Sequence, residues 1–149
     1  MATAEPQPGK RLGLVKILLV PPDRVFAAFV DAEQLPLWFG PVGFTARCLR
    51  FEPVEGKDYR LAMQPPEGDA FHISGTFRTI DAPRHLVFTF DYEEPDPDDQ
   101  ETLVSLTFEP AGQGTRVVLD QGPFRTVARR DLHRDGWTET LERLEQALA

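Results

Sequence analysis

Apart from its 24 carboxylates, few side chains in this 149-residue sequence are of the types that acid–base, nucleophilic or metal chemistry most often uses. They are His72, His85 and His133, the lone Cys48, the two serines Ser74 and Ser105, and Arg130 in "RTVARRDLHR". A structural zinc site needs four nitrogen or sulfur ligands at close spacings, and one cysteine with three scattered histidines does not supply them. Ser74 and Ser105 lie in no G-x-S-x-G elbow, so a hydrolase triad has no recognisable nucleophile. No P-loop and no G-x-G-x-x-G occur, and "GQGT" at 112–115 reads as a hairpin turn. "HRD" at 133–135 matches a kinase fragment without the glycine-rich loop that kinase chemistry needs. Cys48 falls in a strand-like stretch and reads as a small buried hydrophobe. No metal and no cofactor is expected.

Arg130 and His133 are the pair with a position worth weighing. Trp137, Leu141, Leu144 and Leu148 recur at helical spacing. Traced backward at 100° per residue, that stripe meets His133, Arg130 and Thr126. One face of the last helix would then be apolar in its second half and polar in its first. Two readings follow. Either the helix bends near Gly136 and Arg130 meets solvent, or Arg130 and His133 stand at a cavity mouth and hold a polar or anionic end of an apolar ligand.

The elements that would position them follow from local pattern. Residues 1–10 hold two prolines and a glycine and read as a disordered N-terminal tail, leaving 11–149 as one domain. "RLGLVKILLV" predicts a first strand, stopped by Pro21-Pro22. Pro22 and Asp23 suit the first turn of a helix, and Val25, Phe26, Phe29 and Val30 give it one apolar face. A second short helix is expected in "DAEQLPLW", capped by Asp31 and ended by Pro36 and Gly40-Pro41. Beyond Phe44, six alternating segments separated by short turns predict an antiparallel meander. Gly75 inside one of them suggests a bulge or bend. A long helix beginning near Thr126 closes the chain. Gly136 in its middle costs about 1 kcal/mol relative to alanine, so close packing or a kink is expected there. The fold class is α+β: β-α-α-β6-α, a curved antiparallel sheet wrapped around a long C-terminal helix.

Bulk properties narrow the function classes. Of 24 acids, seven lie in "DYEEPDPDDQE" (91–101) without a base, and the remaining 17 face 16 bases, so the body is near neutral. That segment lacks the spacing of a calcium loop and reads as a solvated hairpin tip. Nucleic acid is not expected as a partner, because phosphate binding needs a concentrated basic surface. No apolar run is long enough to span a bilayer, and the opening residues lack a signal peptide's apolar region. One cysteine fits a reducing compartment, so a cytoplasmic protein without membrane association is expected.

Four stretches carry a family resemblance: "PPDRVFAAFVDAEQLPLWFGPVGF", "FHISGTFRTIDAPRHLVFTF", "LVSLTFEPAGQGTRVVL" and "RDGWTETLERLEQAL". Together, over residues 12–148, they resemble the START-like helix-grip (SRPBCC) superfamily. The branch they resemble is that of the C-terminal domain of the heat shock protein 90 ATPase activator. The shared marks fall at Pro22 to Phe26, Trp38 to Pro41, Gly75 to Phe77, Gly114 to Arg116 and Gly136 to Leu141. They specify fold far more than activity. The resemblance implies that Trp38 and Phe39 stand near the entrance of a cavity between sheet and helix. An aromatic or basic residue common in the last strand is replaced here by Asp120-Gln121.

Three functions follow from the resemblance. The first is a binding protein holding a small hydrophobic or amphipathic ligand. Its candidate walls are Trp38, Phe39, Phe71, Ile73, Phe88, Phe90, Leu119, Trp137 and Leu141, with Arg130 and His133 as polar groups. The second is a co-chaperone-like protein with a protein partner, although such activators carry a separate N-terminal domain. The third is a polyketide cyclase- or aromatase-like enzyme in which Arg130, His133 and His72 would move protons. An exposed strand edge would also offer a second copy a place to pair as a homodimer.

Overall fold

The computed structural model describes residues 10–149. Seven antiparallel strands form one sheet in the order β1-β7-β6-β5-β4-β3-β2. They are β1 (Leu12–Leu18), β2 (Thr45–Phe51), β3 (Asp58–Gln64), β4 (Phe71–Asp81), β5 (His85–Tyr92), β6 (Thr102–Ala111) and β7 (Gly114–Gly122). Helix α1 (Pro22–Val30) and a 3₁₀ turn (Leu35–Leu37) follow β1, and α2 (Val127–Leu148) closes the chain. This is the α+β helix-grip arrangement expected from the sequence. The expected tail over 1–10 lies, for residues 1–9, outside the described residues. Lys10 itself is tied down, its carbonyl accepting a 2.8 Å hydrogen bond from the Phe124 amide.

Consecutive strands β2 to β7 pair as hairpin neighbours, and β1 adds to the far edge through Leu12↔Gln121 to Leu18↔Thr115. One residue in two faces the helix side, so the alternating apolar set becomes a single core: Leu12 and Leu18, Leu61 and Met63, Leu86 and Phe88, Val104, Leu106 and Phe108, Val117 and Leu119. α1 supplies Phe26 and Phe29, which meet Phe108 edge to face at 5.4 Å. From α2 come Trp137, Leu141, Leu144 and Leu148, all buried, the stripe the spacing requires. Thr126 caps that helix, its Oγ1 accepting from the Arg129 amide at 3.0 Å.

Three local expectations change. The second short helix is only a three-residue 3₁₀ turn. Asp31 does not cap it; its carboxylate folds back to accept from the Glu33 amide at 2.9 Å and the Gln34 side chain at 3.0 Å. Those bonds hold the Asp31 carboxyl below the usual range. Gly75 is not the bulge, which lies between Phe77 and Thr79. A Cβ at Gly75 would stand 2.0 Å from the Thr89 carbonyl oxygen and 2.7 Å from the Tyr59 ring. Glycine therefore lets Tyr59 cross the sheet and donate to the Thr89 carbonyl at 2.6 Å. The β4–β5 ladder opens there, and the Thr76 amide donates to Thr89 Oγ1 at 2.8 Å instead.

The acidic segment is more than a solvated tip. Arg129 on α2 reaches Asp96 at 3.4 Å and Asp99 at 3.3 Å, and the Asp99 side chain is 6% exposed. Gln100 donates to the Pro123 carbonyl at 2.8 Å. The base of the 93–101 connection is thus docked against the start of α2.

Candidate functional site

A cavity of about 460 Å³ opens between α2, the loop after the 3₁₀ turn and the strand ends of β3, β4 and β5. That volume lies within the usual range for small-molecule sites, roughly 300–1,000 Å³. Period-two alternation supplies its floor: Met63 from β3, Phe71 and Ile73 from β4, Phe90 and Tyr92 from β5. Helical spacing supplies its roof: His133, Gly136, Trp137 and Thr140 stand at intervals of three, one and three.

The loop "FGPVGF" (39–44) is the lip. Gly40 and Gly43 adopt φ of 110° and 88°, values glycine reaches without strain. One Arg143 nitrogen on α2 donates to the carbonyls of Gly40, Pro41 and Phe44 at 2.9, 3.1 and 3.3 Å. Glu139 accepts from the Val42 amide at 2.9 Å. Two charged side chains of the helix therefore hold the lip in place. Pro41, Val42 and Phe44 line the cavity, while Val42 and Leu132 remain exposed at its mouth.

The polar content of the cavity is small. His133 Nε2 and the Tyr92 hydroxyl share a hydrogen bond of 3.3 Å. The His133 ring sits among Phe90, Tyr92 and Phe124. Burial lowers its pKa to about 4, so it is a neutral imidazole near neutral pH; Asp99 opposes that shift and Arg129 adds to it. Burial likewise raises the Tyr92 phenol. Thr140 Oγ1 donates to the Gly136 carbonyl at 2.7 Å and retains its acceptor capacity. Among the described residues, Asp135 and Glu139 are the only charged ones in the lining, which holds no lysine or arginine.

Six of the eleven expected site residues line this space: Phe39, Phe71, Ile73, Phe90, His133 and Trp137. The others do not. Trp38 is 1% exposed, packed on Phe29 at 4.7 Å, with its indole N–H donating to the Ala28 carbonyl at 3.3 Å. Leu119 and Leu141 belong to the closed core. Phe88 lines a separate inner space of about 30 Å³, together with Leu61, Phe77 and Leu86. Arg130 is a correction: its guanidinium pairs with the neighbouring Asp131 at 2.8 Å and does not reach the cavity. On the helical wheel Arg130 falls within about 20° of Trp137, but it lies about 10 Å before it along the axis, and the α2 residues that line the cavity begin at Leu132. With His133 neutral as well, the described lining offers no cationic anchor for an anionic end.

His72 is a second correction. It pairs with Glu94 at 2.8 Å, outside the cavity lining, so Arg130, His133 and His72 do not converge on one reacting centre. His72, Glu93 and Glu94 are, among the described residues, the group whose ligand atoms come close enough to share a cation. Glu93 is already held by Arg60 at 2.9 Å. Cys48 is half-buried, and burial pushes its thiol pKa up, which suits a packing role.

Gln121 sits where the sequence departed from the family pattern. It is fully buried, accepts from the Trp137 indole at 2.8 Å and donates to Thr102 Oγ1 at 2.8 Å. Its polarity is spent on fixing Trp137, not on the cavity. Residues missed in the sequence are Tyr92, Met63, Phe44 and Thr140. Tyr92 was reachable by extending the Phe88–Phe90 alternation one step further.

The family model described as "Activator of Hsp90 ATPase homolog 1-like protein" matches residues 19–149. The chain belongs to that family. Among curated proteins, none matches the sequence. Solved structures of the same fold include the AHSA1 protein of Silicibacter pomeroyi, 26% identical, with 93% of this chain and 96% of that one covered and a TM-score of 0.81. A Nitrosomonas europaea protein is 27% identical over 95% of each chain, with a TM-score of 0.80. A Chromobacterium violaceum protein shares the fold at 20% identity and a TM-score of 0.86, covering 92% of this chain and 95% of that one. The sheet–helix architecture thus recurs across widely diverged sequences. No helix of the described residues is long and apolar enough to cross a membrane.

Proposed function

We propose that this AHSA1-like protein binds one small amphipathic molecule in the cavity between sheet and α2, and that the polar end of that molecule is uncharged. The observation that carries the reading is the lining: aromatic and aliphatic walls around a neutral hydrogen-bonding pair, His133 and Tyr92, with Asp135 and Glu139 the only charged residues among the described lining residues. Apolar walls with a few convergent polar groups are the usual make-up of small-molecule sites. A hydroxyl or carbonyl can exchange hydrogen bonds with a neutral imidazole and a phenol. A carboxylate would lose its hydration there without gaining a counter-charge, and burying an unpaired charge is costly.

The test is a thermal-shift comparison of matched probes, decanol and decanoate, against the whole chain. A ligand that binds only the folded state raises its stability by linkage. Decanol raises Tm and decanoate does not, or does so far less. Equal shifts would overturn the uncharged end, and no shift from either would overturn the binding role. A co-chaperone role draws on the family's description.

A further inference from the structure

We propose that Phe39 is the depth-limiting residue of the cavity: its ring divides an outer chamber from an inner one, and its size sets how long an apolar body the protein accepts. This rests on the reading of the outer chamber as a ligand site.

Phe39 is the one residue common to the linings of the 460 Å³ outer space and the 30 Å³ inner space. The two spaces are successive parts of one strip of sheet. Along β3 the same face carries Leu61 in the inner space and Met63 in the outer. Phe77 and then Ile73 continue this on β4, and Phe88 and then Phe90 on β5. The pairings Leu61↔Ile73 and Phe77↔Phe88 hold these positions in one register. A continuous apolar strip is therefore interrupted at a single side chain.

That side chain is held in place. Phe39 packs edge to face between Trp38 at 5.8 Å and Trp137 at 5.9 Å, and both indole N–H groups are hydrogen-bonded, to Ala28 and Gln121. The backbone on either side is also tied: the Phe39 amide donates to the Leu35 carbonyl at 3.0 Å, and the Gly40 carbonyl accepts from Arg143 at 2.9 Å. The inner space beyond is apolar, and its one hydroxyl, on Tyr59, is engaged by the Thr89 carbonyl. It suits methylene or aromatic carbon and offers a water too few partners.

The experiment measures the affinity of straight-chain alcohols from octanol to hexadecanol for the wild type, Phe39→Ala and Phe39→Leu. Each buried methylene should tighten binding about fourfold, from about 0.8 kcal/mol per CH₂. In the wild type that gain stops once the outer chamber is filled. In Phe39→Ala it continues for further methylenes, and Phe39→Leu stops in between. Phe39→Leu keeps an apolar side chain between the two chambers and serves as the readout should Phe39→Ala not fold. A variant that binds the alcohols yet stops at the wild-type length overturns the role of Phe39 and leaves the outer site standing. Alcohols that bind no form of the protein overturn both.

Discussion

The Trp137 indole N–H donates to Gln121 Oε1 at 2.8 Å, joining the middle of α2 to the last strand through two buried side chains. Trp137 is the part of the cavity roof against which Phe39 leans. Gln121 in turn donates to Thr102 on the next strand, so every polar atom of its amide oxygen and nitrogen has a partner. A polar pair in the core thereby sets the position of an apolar wall.

Gln121→Met tests this pairing. It keeps the side chain's length and leaves the indole N–H and Thr102 without their partner. A buried donor left unsatisfied costs about 1–3 kcal/mol. Urea unfolding should show a loss in that range, and decanol should bind more weakly because Trp137 is no longer fixed. Unchanged stability would show that the pair does not anchor the helix.

Gly136 should trade stability for access. The helix continues through it, and an alanine Cβ would meet only Pro41 Cγ at 3.7 Å, an ordinary contact. Gly136→Ala is expected to stabilise the protein by up to about 1 kcal/mol through helix propensity. The same methyl narrows the gap between α2 and the lip, so the association rate of decanol should fall. Stopped-flow fluorescence of the tryptophans would follow it.

His133 makes stability depend on pH. Its folded pKa is about 4 against an ordinary value of 6.5, so between those values the unfolded chain takes up a proton that the folded one excludes. The folded state therefore has its full advantage above about pH 6.5 and loses up to about 3 kcal/mol of it as pH falls toward 4. Asp99, Arg129 and Tyr92 are the groups that face it and are retained in the comparison. The stability difference between wild type and His133→Gln should shift in favour of the variant as pH falls through this window. A difference independent of pH would mean that His133 is not buried as a neutral ring.

Arg143 should govern the lip. Its three carbonyl partners on 40–44 lose a charged donor in Arg143→Met, and hydrogen bonds to charged groups are worth about 1.5–3 kcal/mol. The Phe44 amide, bonded to the Pro41 carbonyl at 3.0 Å, should exchange its hydrogen roughly tenfold faster or more. Equal exchange would place the rigidity of the lip in its glycines and proline instead.

The fold was legible because its signals are periodic. Alternation in β2 to β7, short turns between them and the Trp137–Leu148 stripe each repeat over many residues. The site was legible only in part. Phe90 and Phe71 follow from alternation, but Trp38, Leu119 and Leu141 are equally apolar and lie in closed core, a distinction made by curvature and not by residue type. Arg130 shows the limit of a helical wheel, which gives angle but not position along the axis: it shares the face of Trp137 yet lies before the lining residues and pairs with Asp131. Gln121 shows another: a polar residue in a strand gives no sign that an indole sixteen positions later will consume it.

The most direct test of the central claim is an NMR titration of the isotopically labelled whole chain with decanol, reading intermolecular NOEs. The account predicts contacts from the alkyl chain to the rings of Phe71 and Phe90 and the methyls of Ile73, with the hydroxyl end beside His133 and Tyr92. Contacts confined to exposed residues such as Leu37 or Val15, or no contacts at all, would contradict it.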